Sequence, residues 1–191
     1  MTYKLPLASE TEFGIMLPGT NLAVTNGVVD STGGGGIATD SYYGKFYSDV
    51  TQTNPVADTA NIVSFPNTTF NSGITTTGTD IVFQFAGIYT ITYDLEVEIT
   101  AGGGTSIDVW IQLDGVDYPN SNSESLLDGG GAFRLVSRSF LIQVTAGQAL
   151  TVLWSAPLTT LQLTAIGTQA GPDRPSTNSA NILATLVRAI P

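Results

Sequence analysis

Between Ile88 and Thr100 the chain alternates without interruption: Tyr89, Ile91, Tyr93, Leu95, Val97 and Ile99 are apolar or aromatic, and Thr90, Thr92, Asp94, Glu96 and Glu98 stand between them. Successive side chains leave a strand on opposite sides, so this period predicts a strand with one face in a core and the other polar. The segment 106–113 repeats the pattern, with Ile107, Val109, Ile111 and Leu113 set against Asp108, Trp110 and Gln112. The glycine-rich stretch 101–104 between the two reads as the turn of a hairpin. Placing Ile99 opposite Ile107 keeps both apolar faces on one side, and then Glu98 faces Asp108 and Glu96 faces Trp110. Further strands are expected over 43–50, 61–65, 80–85, 133–145, 149–155, 160–167 and 180–189. The separators carry turn residues: Pro66-Asn67, Asn71-Ser72-Gly73, Asp114-Gly115, the glycines after Asp128, Ala146-Gly147 and Gly171-Pro172. No window has a helical period. The expected fold is all-β, an antiparallel β-sandwich of the jelly-roll type with at least about eight strands, in which the odd-numbered residues of 89–99 mostly face inward.

Residues 1–40 break from this pattern. Leu22-Ala23-Val24 and Val28-Val29 flank Asn26-Gly27, the signature of a tight turn, which predicts a short N-terminal β-hairpin. The run Gly33 to Gly36 then reads as a flexible hinge. The chain therefore divides into an attachment arm with its hinge, 1–40, and a head domain, 41–191.

Composition narrows the function. Apolar residues make up 42% of the chain, enough for a core, while charged residues make up only 12%, against about 25% in an ordinary soluble domain. Thr, Ser, Asn and Gly take their place, a surface suited to β-structure and assembly. The net charge is −10, and the six basic residues, Lys4, Lys45, Arg134, Arg138, Arg174 and Arg188, are scattered, so phosphate neutralisation has no footprint and nucleic acid is disfavoured as a partner. The absence of Cys and His removes disulfides, thiol chemistry, Cys-based zinc sites and the commonest general base. The N-terminus lacks the apolar core of a signal peptide, and no run approaches the ~20 apolar residues of a membrane span. No membrane partner is expected. Synthesis in a cytoplasm fits these features, and a role outside the cell would call for release by lysis and not by secretion.

The strand order resembles the trimeric jelly roll of the tumour necrosis factor class. The residues that carry this are Gly87-Ile88-Tyr89 opening a long strand, Val109 to Gly115 as strand and turn, Val144 to Trp154 as a hairpin, and Ile182 to Arg188 as the closing strand. Residues 51–55, 61–65, 108–115 and 119–122, taken in order, resemble virion proteins of tailed bacteriophages, as do the N-terminal segments 5–9, 17–24 and 27–29. In phage fibres such short units usually come in tandem; here the unit occurs once. The resemblance implies a homotrimer with an aromatic-lined interface, for which Tyr93, Trp110 and Phe140 are the candidates. It also implies attachment to a virion through Leu17, Leu22, Val24, Val28 and Val29.

The sharpest constellation for chemistry is the acidic row Asp94, Glu96 and Glu98 with Asp108 opposite. Like charges facing across strands destabilise a sheet, and a hard cation such as Ca²⁺ would relieve them, as would Arg134 or Arg138. A solvated face that discourages sheet-to-sheet association explains the same residues without a metal. Paired carboxylates also serve glycoside hydrolysis, but nothing repeats at the period of the large β-helices that carry such sites on phages. No catalytic residue and no cofactor is assigned. The glycine runs lack both the spacing and the following helix of a phosphate cradle.

Three functions accept this reading. The first is a capsid decoration or cement protein on the exterior of the virion, anchored to the major capsid protein or another virion protein. The second is a tail-associated receptor-binding or fibre-head module, with a host surface glycan as its possible partner. The third is a glycan-binding or polysaccharide-degrading domain. The short chain, single attachment unit and lack of a shaft favour the first.

Overall fold

The computed structural model describes residues 22–25, 28–31 and 41–190. The chain forms two compact units, Met1–Asp40 and Ser41–Pro191. In the first, β1 (Leu22–Thr25) pairs antiparallel with β2 (Val28–Ser31), Thr25 lying opposite Val28 and Leu22 opposite Ser31. This is the hairpin expected around Asn26-Gly27. The attachment candidates Leu22, Val24, Val28 and Val29 belong to these strands, whereas Leu17 and the Gly33–Gly36 hinge lie outside the described residues.

The second unit is entirely β among its described residues. Its strands are β3 (Tyr43–Ser48), β4 (Gln52–Thr53), β5 (Asn61–Ile62), β6 (Asn67–Ser72), β7 (Ile74–Thr76), β8 (Asp80–Phe83), β9 (Gly87–Ile99), β10 (Gly103–Leu113), β11 (Val116–Asp117), β12 (Ser123–Gly129), β13 (Phe133–Val144), β14 (Ala149–Ser155), β15 (Leu161–Leu163) and β16 (Ala180–Ala189). They form two sheets of seven strands each. The first runs β13-β9-β16-β3-β6, with β15 and β4 continuing beyond β16 along the same edge of β9. The second runs β12 and β11 on one side of β10, then β14, β8 and β7, with β5 also on β14.

Four of the pairings are nested in sequence. β10 pairs with β12, β9 with β13, β8 with β14 and β3 with β16, all antiparallel. The chain thus runs as one long double-stranded ribbon whose tip is the β10–β12 turn, rolled so that alternate rungs fall in opposite sheets. That is the jelly-roll arrangement the turn spacing predicted.

One expectation is overturned. β9 and β10 do not pair, because residues 101–102 carry the chain from one sheet to the other. Ile99 lies opposite Leu161, and Ile107 lies opposite Ser125. Both strands keep their apolar faces inward, but they face each other across the core. Glu98 consequently stands beside Phe133 and Gln162, Glu96 stands beside Leu135, and neither faces Asp108 or Trp110.

The core is what the alternation implied. Tyr89, Ile91, Tyr93, Leu95, Val97 and Ile99 are all at 0% exposure, and they meet Ile107, Val109, Ile111, Leu150, Val152 and Trp154 from the opposite sheet. Burying each such aliphatic side chain stabilises the fold by about 1.5–3 kcal/mol. Strand β14 is buried over Leu150–Trp154, including Leu153 on its outer side.

Candidate binding site

On the outer face of the β10 sheet the alternation that buries Val109 and Ile111 turns Asp108, Trp110 and Gln112 outward. The Asp114-Gly115 turn brings β11 back beside them: both residues have positive φ, 51° and 76°, the geometry of a tight hairpin turn that Gly tolerates and Asp accepts more readily than most. The Asp114 side chain ties this turn to the start of β14. Its Oδ1 accepts from the Ala149 backbone N–H at 2.9 Å and its Oδ2 from Gln148 Nε2 at 2.9 Å. These bonds hold its carboxyl below its usual range, the backbone bond being the larger cause.

The hairpin places Asp117 opposite Gln112. A single oxygen, Asp117 Oδ1, accepts both the Trp110 indole N–H at 2.9 Å and Gln112 Nε2 at 2.9 Å. The indole is thereby fixed in orientation while still half-exposed. Beyond β11 the chain makes the loop 118–122. Tyr118 N–H donates to the Ile111 carbonyl at 2.9 Å, and the buried Ser121 hydroxyl accepts from Ile111 N–H at 3.2 Å and donates to Ile111 O at 3.3 Å. Arg138, arriving from β13 in the other sheet, donates to the carbonyls of Asn122 at 2.6 Å, Ser121 at 3.3 Å and Asn120 at 3.5 Å. The result is an open groove of about 610 Å³ lined by Asp108, Trp110, Asp117, Tyr118, Asn122 and Ser155, among others. Asp108 is held in it by Asn122 Nδ2, which donates to its Oδ1 at 2.9 Å.

The acidic row predicted to gather with Asp108 is therefore split between the two outer faces of the sandwich. Asp94, Glu96 and Glu98 lie on β9, and Asp108 lies on β10 in the opposite sheet. Glu98 is answered by neutral donors, Thr164 Oγ1 at 2.7 Å and Gln162 Nε2 at 3.0 Å. Among the described residues no three carboxylates converge as a metal site.

The three aromatic interface candidates have different surroundings. Tyr93 is wholly inside the subunit, so it offers nothing to a neighbouring copy. Its position in the inward set of β9 decides this. Burial pushes its phenol up, partly offset by Ser123 and by the charge of Arg138, although its hydroxyl completes no hydrogen bond. Phe140 is half-buried at the sandwich edge, its ring 6.0 Å from that of Tyr93, with the Arg138 guanidinium 5.0 Å from its centroid. Trp110 is outward, as expected. Sequence reasoning missed Asp117, Tyr118, Asn122 and Ser155 as its companions; the Asp114-Gly115 turn two residues past Gln112 was the available signal for Asp117.

No family model matches this chain, and none of the curated proteins matches it. Among solved structures it is similar to the crystal structure of murine APRIL at pH 8.0, with a TM-score of 0.51 over 78% of this chain and 100% of that one, at 10% sequence identity. At that identity the likeness shows the fold: a β-sandwich of the tumour-necrosis-factor-like jelly-roll type.

Proposed function

We propose that the protein is a non-enzymatic structural component of a bacteriophage particle. In this reading residues 41–191 form a homotrimeric head displayed on the outside, and residues 1–40 form the arm that attaches it, to the major capsid protein in the case of a decoration protein. The observation that carries self-association is the outer face of the first sheet. Phe133, Leu135 and Leu141 on β13, Leu183 on β16, Tyr43 on β3 and Phe70 on β6 are all exposed on that face. Leu135 and Leu141 are 59% and 64% exposed, and apolar side chains gathered on one face mark an interaction surface. β13 is also paired on one side only, to β9, so its free edge invites a neighbour unless one already covers it. Closed cyclic assembly answers both needs and stops at a finite number of copies. The phage assignment is supported by the resemblance of the segments at 51–55, 61–65, 108–115 and 119–122 to virion proteins.

Sedimentation equilibrium of the full chain tests the assembly. A trimer is expected for the native sequence, and a folded monomer for the double variant Leu135→Glu, Leu141→Glu. A native monomer at micromolar concentration refutes it. Counting copies in purified particles tests the location: decoration predicts tens to hundreds and a tail module a handful. The tail-associated receptor-binding module is the second reading, favoured by the groove around Trp110.

A further inference from the structure

The groove around Trp110 is built more firmly than the fold requires. A connection between an edge hairpin and β12 needs only to be short and solvated, yet residues 118–122 are tied to β10 through the buried Ser121 and to the opposite sheet through the three carbonyls that Arg138 holds. Fixing a surface loop and an exposed indole in advance lowers the ordering cost of binding something there. The chemistry of the fixed groups narrows what that is. Trp110 supplies a flat apolar surface with a polar rim, and Tyr118, packed against the core, borders it. Asp108 and Asp117 each have one carboxylate oxygen engaged by amide or indole donors, which leaves the other oxygen of each as an acceptor. Asn122 and Ser155 add further polar groups to the lining. The occupant must therefore present an apolar face to a ring and several hydroxyl donors to carboxylates.

It must also be uncharged or weakly cationic. No Lys or Arg side chain lines the groove; Glu124 pairs directly opposite Asp108; and the chain as a whole carries −10. An anionic polymer would be repelled. A volume of about 610 Å³ falls within the range of small-ligand sites. We infer that this groove is a binding site for a neutral, hydroxyl-rich saccharide, with Trp110 as the stacking platform, Asp108 and Asp117 as hydroxyl acceptors, and Arg138 as a positioning residue that holds the groove wall.

The experiment uses the full-length protein. A glycan array spanning neutral, N-acetylated and anionic oligosaccharides identifies the probe, and titration of the strongest neutral hit against intrinsic fluorescence measures affinity. The chain has two tryptophans, and Trp154 is buried at 1% exposure, so a saccharide-dependent change reports Trp110. Trp110→Ala should lose the response and weaken array binding by about tenfold or more, whereas Trp110→Phe keeps a platform and should lose less. Asp108→Asn, which preserves shape, should weaken binding several-fold without altering the far-UV spectrum. Arg138→Gln should weaken binding through the loop, and the Trp110 emission should shift even without saccharide. The inference is overturned if no neutral or N-acetylated glycan binds, if only anionic glycans bind, or if Trp110→Ala binds as the native protein does. Sedimentation of the same samples reads assembly separately, so failure here leaves the trimer untouched.

Discussion

Asn54 is the polar residue on which the head's stability should depend most visibly. It follows β4, is 1% exposed, and reaches from the first sheet's margin to the chain leaving β14. Its Nδ2 donates to Ala156 O at 2.9 Å and Leu158 O at 3.0 Å, and its Oδ1 accepts from Asn61 Nδ2 at 2.9 Å. In Asn54→Ala both carbonyls keep a second donor, Asp58 N–H at 3.0 Å and Leu161 N–H at 3.2 Å, so neither is left wholly unpaired. Asn61, half-exposed, keeps its bond to Thr59 O and turns its freed N–H to water. The loss is then close to two ordinary buried bonds at ~0.5–1.5 kcal/mol each plus a small void, about 2–3 kcal/mol in all. In Asn54→Asp the shape is kept, but the donor becomes an acceptor and a buried charge faces two carbonyls, so the cost must be larger. Urea denaturation followed by tryptophan fluorescence, at one protein concentration because assembly is linked to folding, should give the order native, Asn54→Ala, Asn54→Asp. At about 2–4 °C per kcal/mol for a chain of this size, Asn54→Ala should melt roughly 4–12 °C lower. An alanine variant within about 0.5 kcal/mol of native, or an aspartate variant as stable as the alanine one, would refute the reasoning.

Other outcomes follow from the same structure. Leu95→Ala, at a position with 0% exposure, should cost about 2–5 kcal/mol in the same denaturation assay. Gly44→Ala should destabilise by about 1–3 kcal/mol, because a Cβ there would sit 2.5 Å from the Phe46 ring and 3.3 Å from Ile74; double substitution with Phe46→Leu should recover part of it. Asp114 is more acidic folded than unfolded, so its contribution is present above the ordinary carboxylate range and is lost as pH falls through its folded pKa; the stability difference between native and Asp114→Ala protein should shrink on acidification, measured by melting temperature against pH. Deleting residues 1–32 should leave a folded trimeric head that no longer attaches to particles lacking the native protein, checked by sedimentation and by particle-binding assay.

Much of the sandwich can be read from residue order, and the failures have two causes. β9 is legible because thirteen residues alternate without a break, and the expected strands at 133–145, 149–155 and 180–189 match β13, β14 and β16 to within a residue. β6 and β12 are not legible. Asn67–Ser72 is an edge strand with its middle residues exposed, and Ser123–Gly129 buries Leu127 alone, so neither carries the contrast that alternation needs. The mispairing of β9 with β10 has another origin. An apolar face states which side of a strand is wet, but two strands side by side and two strands facing across a core give the same alternation. Only the rest of the ribbon decides between them. The groove shares this limit. Trp110 is visibly outward in the sequence, whereas its loop wall depends on Arg138 arriving from the opposite sheet.

The nested ribbon also governs when the head can be finished. Its tip, β10 with β12, closes within a short stretch of chain, but each rung outward joins residues further apart, and in the outermost Ser179 Oγ meets Ser48 O at a separation of 131 positions. During synthesis β3 emerges early and its permanent neighbour β16 emerges almost last. Phe46 must therefore wait, exposed, for most of the chain to appear. Loops of that span close slowly, and unpaired apolar strands aggregate while they wait. Slowing translation after β14 should consequently raise misfolding more than the same pause before β9, an asymmetry that belongs to the order of assembly and not to the stability of the finished molecule.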